Sequence, residues 1–170
     1  MTNTILADAF GHHTWATLVL LDACAGLTEE QLATTVPGTY GSLIGTLRHT
    51  VGADAGYLEL LAPGEVTKID EEDALGITEL RATMAACGEA WDRLAGRELD
   101  GTQEITRYRD DGSTSTAPLS IRIVQALHHG TDHRSQVCTA LTSLGIEPPE
   151  IDVWAYAWKD DRLAETAPTT

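Results

Sequence analysis

The chain has 170 residues, with 11 Lys and Arg against 26 Asp and Glu, for a formal net charge of −15. Such a field would repel nucleic acid and anionic membrane surfaces, so we exclude both as partners. The length and a hydrophobic fraction of 42% fit one folded domain, residues 1–170, with a single core.

Cysteine usage and the lack of a targeting segment both bear on location. Cys24, Cys87 and Cys138 are odd in number and widely separated, and no C-x-x-C pair occurs. This pattern indicates reduced core thiols rather than a disulfide framework. No apolar run approaches the roughly 18 residues of a membrane span, and the N-terminal segment lacks the features of a signal peptide. We therefore expect a cytoplasmic protein.

The first half of the chain predicts two amphipathic helices separated by a short turn. Apolar residues recur at three- and four-residue steps over residues 5–25, and Gly26 ends the pattern. The segment LTEEQL follows, with Thr28 as the cap of a brief turn. The second helix runs from about Ser42, its cap, to Leu61.

The second half predicts two further long helices and a short one. The third helix covers 78–96, and the fourth covers 120–144 and ends at a glycine. The segment DVWAYAW then predicts a short aromatic helix. We expect Trp154, Tyr156 and Trp158 to cover the end of the core, with a pocket or a dimer interface as alternatives.

A long connection separates the third and fourth helices. Residues 97–118 alternate in polarity and contain Asp111 and Gly112 between two extended arms, which predicts a small hairpin or an ordered loop. Four long helices with one long connection are typical of a four-helix bundle with a crossover. The predicted fold class is therefore all-α, an antiparallel four-helix bundle with a β-hairpin in the crossover.

Three of the six histidines lie in the segment LHHGTDHRSQ. His129 and His133 are one helical turn apart, so both side chains project from the same face. His128 points about 100° away from that face. Since a catalytic zinc usually has three protein ligands and an open position, a third ligand must come from another helix.

His49 is the best candidate for the third ligand because its helical face is small. The neighbours one or two turns away are Gly45, Gly52, Ala53 and Gly56. Each glycine inside a helix costs roughly 1 kcal/mol relative to Ala. The face either leaves space beside the imidazole for a metal, a water and a substrate, or lets another helix approach closely.

Three polar residues near these histidines have more than one interpretation. His13 shares a face with apolar residues, so it is a buried and satisfied side chain, a pocket-lining group or a ligand. Arg134 would form an ion pair with an acidic neighbour or bind a carboxylate-bearing substrate. Gln136, on a face similar to that of His133, is placed to hydrogen-bond to a ligand.

These segments resemble the DinB family over nearly the whole chain. SLIGTLRHTVGADAGYLELL resembles its second helix, and HHGTDHRSQV resembles its H-x-x-x-H-R-x-Q signature, matched by His129, His133, Arg134 and Gln136. HHTWATLVLLDACAGLTEEQL and LTSLGIEPPEIDVWAYAW are similar to the family's first helix and closing segment. The chain departs at His13, where many members have Asn, so His13 could add a fourth ligand or a pocket base.

The resemblance implies a divalent metal, Zn or Ni, held by His49, His129 and His133, and a homodimer that acts on a small molecule. The family includes transferases that use mycothiol or bacillithiol, an isomerase acting on a mycothiol adduct, and members described as hydrolases. We therefore expect a metal-dependent transferase of a low-molecular-weight thiol, whose nucleophile is a metal-bound thiolate or water. A metal-dependent hydrolase and a non-catalytic metal-binding or stress-related bundle are the alternatives.

Overall fold

The computed structural model describes residues 4–70 and 73–166, which form six helices and one two-stranded sheet. The elements are α1 (Thr4–Cys24), α2 (Glu29–Leu32), α3 (Leu43–Leu61), α4 (Ile77–Ala95), β1 (Glu104–Tyr108), β2 (Thr114–Pro118), α5 (Leu119–Ser143) and α6 (Val153–Lys159). Each of the four long helices begins and ends within one residue of its predicted boundary.

Capping residues explain why the helix boundaries could be predicted from the sequence. The Ser42 hydroxyl accepts a hydrogen bond from the Gly45 backbone N–H at 3.1 Å, which satisfies a donor in the first turn of α3. Thr28 and Gln31 form a reciprocal capping box at α2. Gly145, with φ of 73°, adopts the left-handed conformation that ends α5.

The four long helices form a bundle around one apolar core. α1 contacts α4 and α5, and α3 contacts the same two helices. On α4, the predicted ladder of Leu80, Met84, Cys87 and Trp91 is fully buried. The Trp91 ring stacks on Phe10 of α1, with ring centroids 4.0 Å apart. The all-α bundle expected from the hydrophobic pattern is therefore confirmed.

The connection between α4 and α5 contains the expected hairpin. β1 and β2 pair antiparallel, with Glu104 opposite Pro118 and Tyr108 opposite Thr114. Five residues, 109–113, join the strands, and Gly112 takes a left-handed φ of 80°. The Asp111 carboxylate accepts a hydrogen bond from the Ser113 backbone N–H at 2.9 Å, which orders this loop.

The short aromatic helix α6 forms as predicted, but its tryptophans do not cover the core. Trp154 is 66% exposed and Trp158 is 57% exposed, so this expectation was wrong for both. The helix has only seven residues and contacts α1 through Tyr156, whose ring packs against Trp15. The Tyr156 hydroxyl occupies the space that a side chain at Gly11 would need. One ring therefore docks α6 and leaves the others facing outward.

The cysteines behave as reduced thiols within the bundle. All three are free; Cys24 and Cys87 are buried and Cys138 is partly buried. Burial, with a smaller effect from Cys138, raises the pKa of the Cys24 thiol to about 12. Within residues 4–70 and 73–166, no helix combines the length and apolarity that a membrane crossing requires.

Gly130 permits the close approach of α5 to α1. A Cβ atom at this position would overlap the His13 imidazole, 2.8 Å from its Nδ1, and would lie 2.9 Å from the Arg134 Nη1. Both neighbours belong to buried side chains that cannot move into solvent. The glycine in the HHGTDH segment is therefore required by packing between the two helices.

We expect Gly130→Ala to lower the free energy of unfolding by about 1–3 kcal/mol, because the added methyl overpacks a buried contact. Gly56→Ala is the matched control, because nothing lies within 4 Å of its added Cβ. Removing that helical glycine should leave stability unchanged or raise it by up to about 1 kcal/mol. Urea unfolding of both variants measures the difference. Equal stabilities for the two would contradict the packing role of Gly130.

Candidate metal site

Three histidines from two helices meet at one point in the bundle. α3 supplies His49 and α5 supplies His129 and His133, and one nitrogen from each lies within 4.8 Å of the other two. The Nε2 atoms of His49 and His129 are 3.0 Å apart. Two nitrogens bound to one tetrahedral zinc would be about 3.3 Å apart, given Zn–N bonds of about 2.0 Å. The spacing therefore suits a single ion.

The cluster consists of the three residues predicted as ligands. His129 and His133 lie one turn apart on α5, with ring centroids 4.4 Å apart. His128, which the helical geometry placed off the site, is exposed. In the described part of the chain, His13 is also outside this cluster. Of the three neighbouring histidines, helical spacing therefore selected the two that lie in this cluster.

Gln136 fixes the proton on His133. Its Oε1 accepts a hydrogen bond from the Tyr40 backbone N–H at 2.8 Å, which identifies this atom as the amide oxygen. The same oxygen lies 3.1 Å from His133 Nδ1, and a carbonyl oxygen can only accept. Nδ1 therefore carries the proton, and Nε2 presents its lone pair. Ligating histidines are commonly oriented by such an acceptor.

His129 is neutral at physiological pH. Burial lowers its pKa to about 4, and the neighbouring His133 and His49 lower it further. Imidazole binds a metal only in its neutral form, so protons compete weakly for this nitrogen near neutrality. The environment that disfavours an imidazolium here is the one that a metal ligand requires.

Tyr40 covers one side of the cluster. Its ring stacks on His49, with centroids 3.8 Å apart and an interplanar angle of 18°. It meets His133 edge-on at 5.4 Å. Tyr40 lies in a glycine-rich connection without periodicity, so the sequence offered no signal for this contact. The ring limits access from its side and leaves approach from elsewhere.

A cavity of about 520 Å³, which we call the histidine cleft, opens beside the cluster, and Tyr40 borders it. His49 and His129 border it, together with three small residues of α3 and several residues from neighbouring segments: Gly52, Ala53, Gly56, Tyr57, Leu60, Lys68, Ile69, Asp70, Arg107 and Arg122. A side chain at Gly52 would meet the Ile69 carbonyl oxygen at 3.5 Å, and one at Gly56 would meet nothing within 4 Å. The small face therefore leaves open space beside the imidazoles, rather than serving close helix packing.

His13 belongs to a buried hydrogen-bonded chain and not to the cluster. Arg134 Nη1 donates to His13 Nδ1 at 3.0 Å, so the His13 proton resides on Nε2. Nε2–H donates to Asp54 Oδ2 at 2.7 Å. His13 is fully buried. Because both ring nitrogens are used within the protein, neither remains for a metal.

In the part of the chain that the structure describes, Arg134 does not form the expected ion pair with an acidic neighbour and instead joins the hydrogen bonds around His13. It donates to His13, to the Thr17 hydroxyl at 3.3 Å and to the Thr131 hydroxyl at 3.0 Å. Among the described residues it forms no direct ion pair with a carboxylate; its charge connects to Asp54 through His13. Burial lowers the pKa of Arg134 to about 10, which still leaves it protonated at neutral pH.

A second and larger cavity lies elsewhere in the bundle. It has a volume of about 760 Å³ and is formed by α1, α5 and α6. Its lining is mainly apolar and shares no residue with the histidine cleft. His13 and Arg134 border it, but His49, His129 and His133 do not. Its size alone therefore does not make it the reactive site.

The match to a family model agrees with this arrangement. The model of the DinB family matches residues 1–166, nearly the whole chain. No curated protein and no solved structure matches the chain. The match includes the segments of α3 and α5 that carry the three histidines. The chain therefore belongs to the DinB family.

Proposed function

We propose that this protein is a divalent-metal-dependent enzyme that transfers a low-molecular-weight thiol, of the mycothiol or bacillithiol kind, to an electrophile. The observation that carries the proposal is the cluster of His49, His129 and His133 at the edge of the histidine cleft. Three protein ligands with an approach for a small molecule are typical of catalytic rather than structural metal sites. Zn and Ni are the ions we favour, since both accept imidazole ligands.

Each residue of the site has a definite task in this proposal. A divalent ion held there would lower the pKa of a thiol or of water and so supply a nucleophile at neutral pH. Gln136 holds the His133 proton on Nδ1, and burial keeps His129 neutral. Tyr40 excludes solvent from one side of the imidazoles. The cleft, at about 520 Å³, is in the range of small-molecule sites.

Thiol transfer is supported by the family resemblance, in which thiol-dependent transferases are represented. A hydrolase would use the same three histidines to hold the metal, with water in place of the thiol as the nucleophile. A non-catalytic protein would use the three histidines to bind the metal and would activate neither water nor a thiol. We extend the proposal to a homodimer on the resemblance alone. The experiments below separate these possibilities.

The untagged protein should bind about one equivalent of Zn or Ni per chain. Binding should weaken by more than about 100-fold in each of three variants, His49→Ala, His129→Ala and His133→Ala, because two imidazoles hold such an ion poorly. His128→Ala is the matched control, since His128 is exposed on the same helix. Elemental analysis and calorimetric titration provide the measurement. Less than about half an equivalent in the parent protein, unchanged by the three substitutions, would refute the site.

Gln136→Ala should weaken metal binding by about 10–100-fold, because His133 would lose the acceptor that fixes its proton and its orientation. Gln136→Glu retains an acceptor and should lose less. Gln125→Ala, an exposed position on the same helix, should match the parent protein. Zinc affinity measured by competition with a chromophoric chelator tests the series. Parental affinity in Gln136→Ala would show that the contact does not orient the ligand.

Turnover can be tested with 1-chloro-2,4-dinitrobenzene and mycothiol, bacillithiol or glutathione. The thiolate sulfur would form a bond to the ring carbon, chloride would leave and the thiol proton would pass to buffer. We expect product, followed by absorbance, to form faster than in the uncatalysed reaction of the thiol only when metal and enzyme are both present, and no such acceleration with His129→Ala. Ester hydrolysis without thiol would instead support the hydrolase. A metal-loaded protein inactive in both assays would support a binding protein.

A further inference from the structure

Basic side chains line the histidine cleft of this acidic protein. Among the described residues, Lys68, Arg107 and Arg122 border it, together with the carboxylate of Asp70. Lys68 Nζ pairs with Asp70 Oδ1 at 2.8 Å, so these two charges offset each other. The two arginines remain as the source of positive potential in a chain of net charge −15.

Arg122 is anchored but incompletely satisfied. Its Nη2 donates to the Ser115 carbonyl oxygen at 2.7 Å and to the Ile105 carbonyl oxygen at 3.4 Å, which ties the guanidinium to the hairpin. Its Nε is buried and has no hydrogen-bond partner. Within the described ranges, Nη1 also makes no hydrogen bond to the protein. Arg122 therefore keeps donor capacity at Nη1 beyond the bonds that Nη2 makes to the hairpin.

In residues 4–70 and 73–166, no carboxylate forms an ion pair with Arg107 or Arg122, the two arginines of the cleft. Carboxylates pair with four other arginines, namely Arg81, Arg93, Arg97 and Arg162. Arg48, Arg109 and Arg134 donate instead to carbonyl, hydroxyl or imidazole groups and do not line the cleft. Arg107 and Arg122 differ from those three because they border the cavity beside the histidines.

A guanidinium group has a rigid, planar set of donors that matches the two oxygens of a carboxylate. The half-buried Arg122 is held in place before any ligand arrives, which reduces the entropy lost on binding. The nearby Asp70 would oppose the denser charge of a phosphate more than that of a carboxylate.

We propose, on the basis of the proposed function, that the substrate carries a carboxylate bound by Arg122 and Arg107 while its reacting atom lies at the histidine cluster. The arginines thus select an anionic partner and set its orientation in the histidine cleft. The recognised group is remote from the reacting atom, so its binding energy contributes to positioning.

The test compares thiols that differ only in charge. Protein loaded with Co²⁺ is titrated with 3-mercaptopropionate and 3-mercapto-1-propanol, and with 6-mercaptohexanoate and 6-mercapto-1-hexanol, using the thiolate-to-cobalt absorption band to obtain Kd. At one chain length or both, the acid should bind more tightly than the alcohol by about tenfold or more, as expected for charge-assisted hydrogen bonds.

The variants assign the preference to the two arginines. Arg107→Gln should reduce the preference for the acid and leave the affinity for the alcohol unchanged, and Arg122→Gln should reduce the same preference. Arg122→Lys should restore part of it, since it keeps the charge without the planar donor set. Arg109→Gln is the control, because Arg109 is exposed on the hairpin loop and does not line the cleft. Arg107 makes no hydrogen bond that its loss would break in the described structure, so that variant retains the fold.

Equal affinities for acid and alcohol at both lengths, or the parental preference in both Gln variants, would overturn the proposal. If the protein takes up no cobalt, the proposed function fails. Carboxylate binding can still be measured on the metal-free protein. Glutarate should then shift the Arg122 Nε–Hε resonance in an ¹⁵N spectrum, with the signal assigned by its loss in Arg122→Lys. Neutral glutaramide should not shift it. A signal unmoved by glutarate would overturn carboxylate binding independently of the metal.

Discussion

A buried hydrogen-bonded chain from Asp54 through His13 to Arg134 determines how three of the four long helices fit together. It joins α3, α1 and α5 through buried side chains, where each bond is strengthened by low polarity and each unpaired group would be destabilising. His133 is adjacent to Arg134, and His49 precedes Asp54 on its helix. The network that fixes the relative rotation of α3 and α5 therefore also brings together the histidines that each helix carries.

Much of the fold could be predicted from the sequence because the residues that determine it act within their own segment. Helix boundaries depend on single residues such as Ser42 and Gly145, whose capping chemistry is the same in most contexts. The orientation of Trp154 and Trp158 was not readable, because it depends on how a seven-residue helix docks. That docking is decided by one ring contact with α1, and nothing in the local pattern of α6 distinguishes Tyr156 from its aromatic neighbours.

The candidate site, like the fold, could be predicted from the sequence only in part. Spacing on one helix selected His129 and His133, and the small residues around His49, together with the family resemblance, supplied the third imidazole. Asp54 could have been noticed as a carboxylate between two alanines on a largely apolar helix. Tyr40 and Arg107 could not, because their proximity to the histidines depends on the paths of the connections between helices. Contacts between segments distant in sequence leave no periodic trace.

The histidine cleft has walls of two different origins. The imidazoles come from long bundle helices, whereas Lys68, Asp70 and Arg107 come from a connection and a hairpin strand. Connections tolerate insertion and replacement far better than packed helices do. A graft of another hairpin between α4 and α5 would therefore change the chemical surface facing the imidazoles without disturbing the helical frame that assembles them. Ligand preference can therefore change through the connections while the helices that hold the imidazoles stay the same.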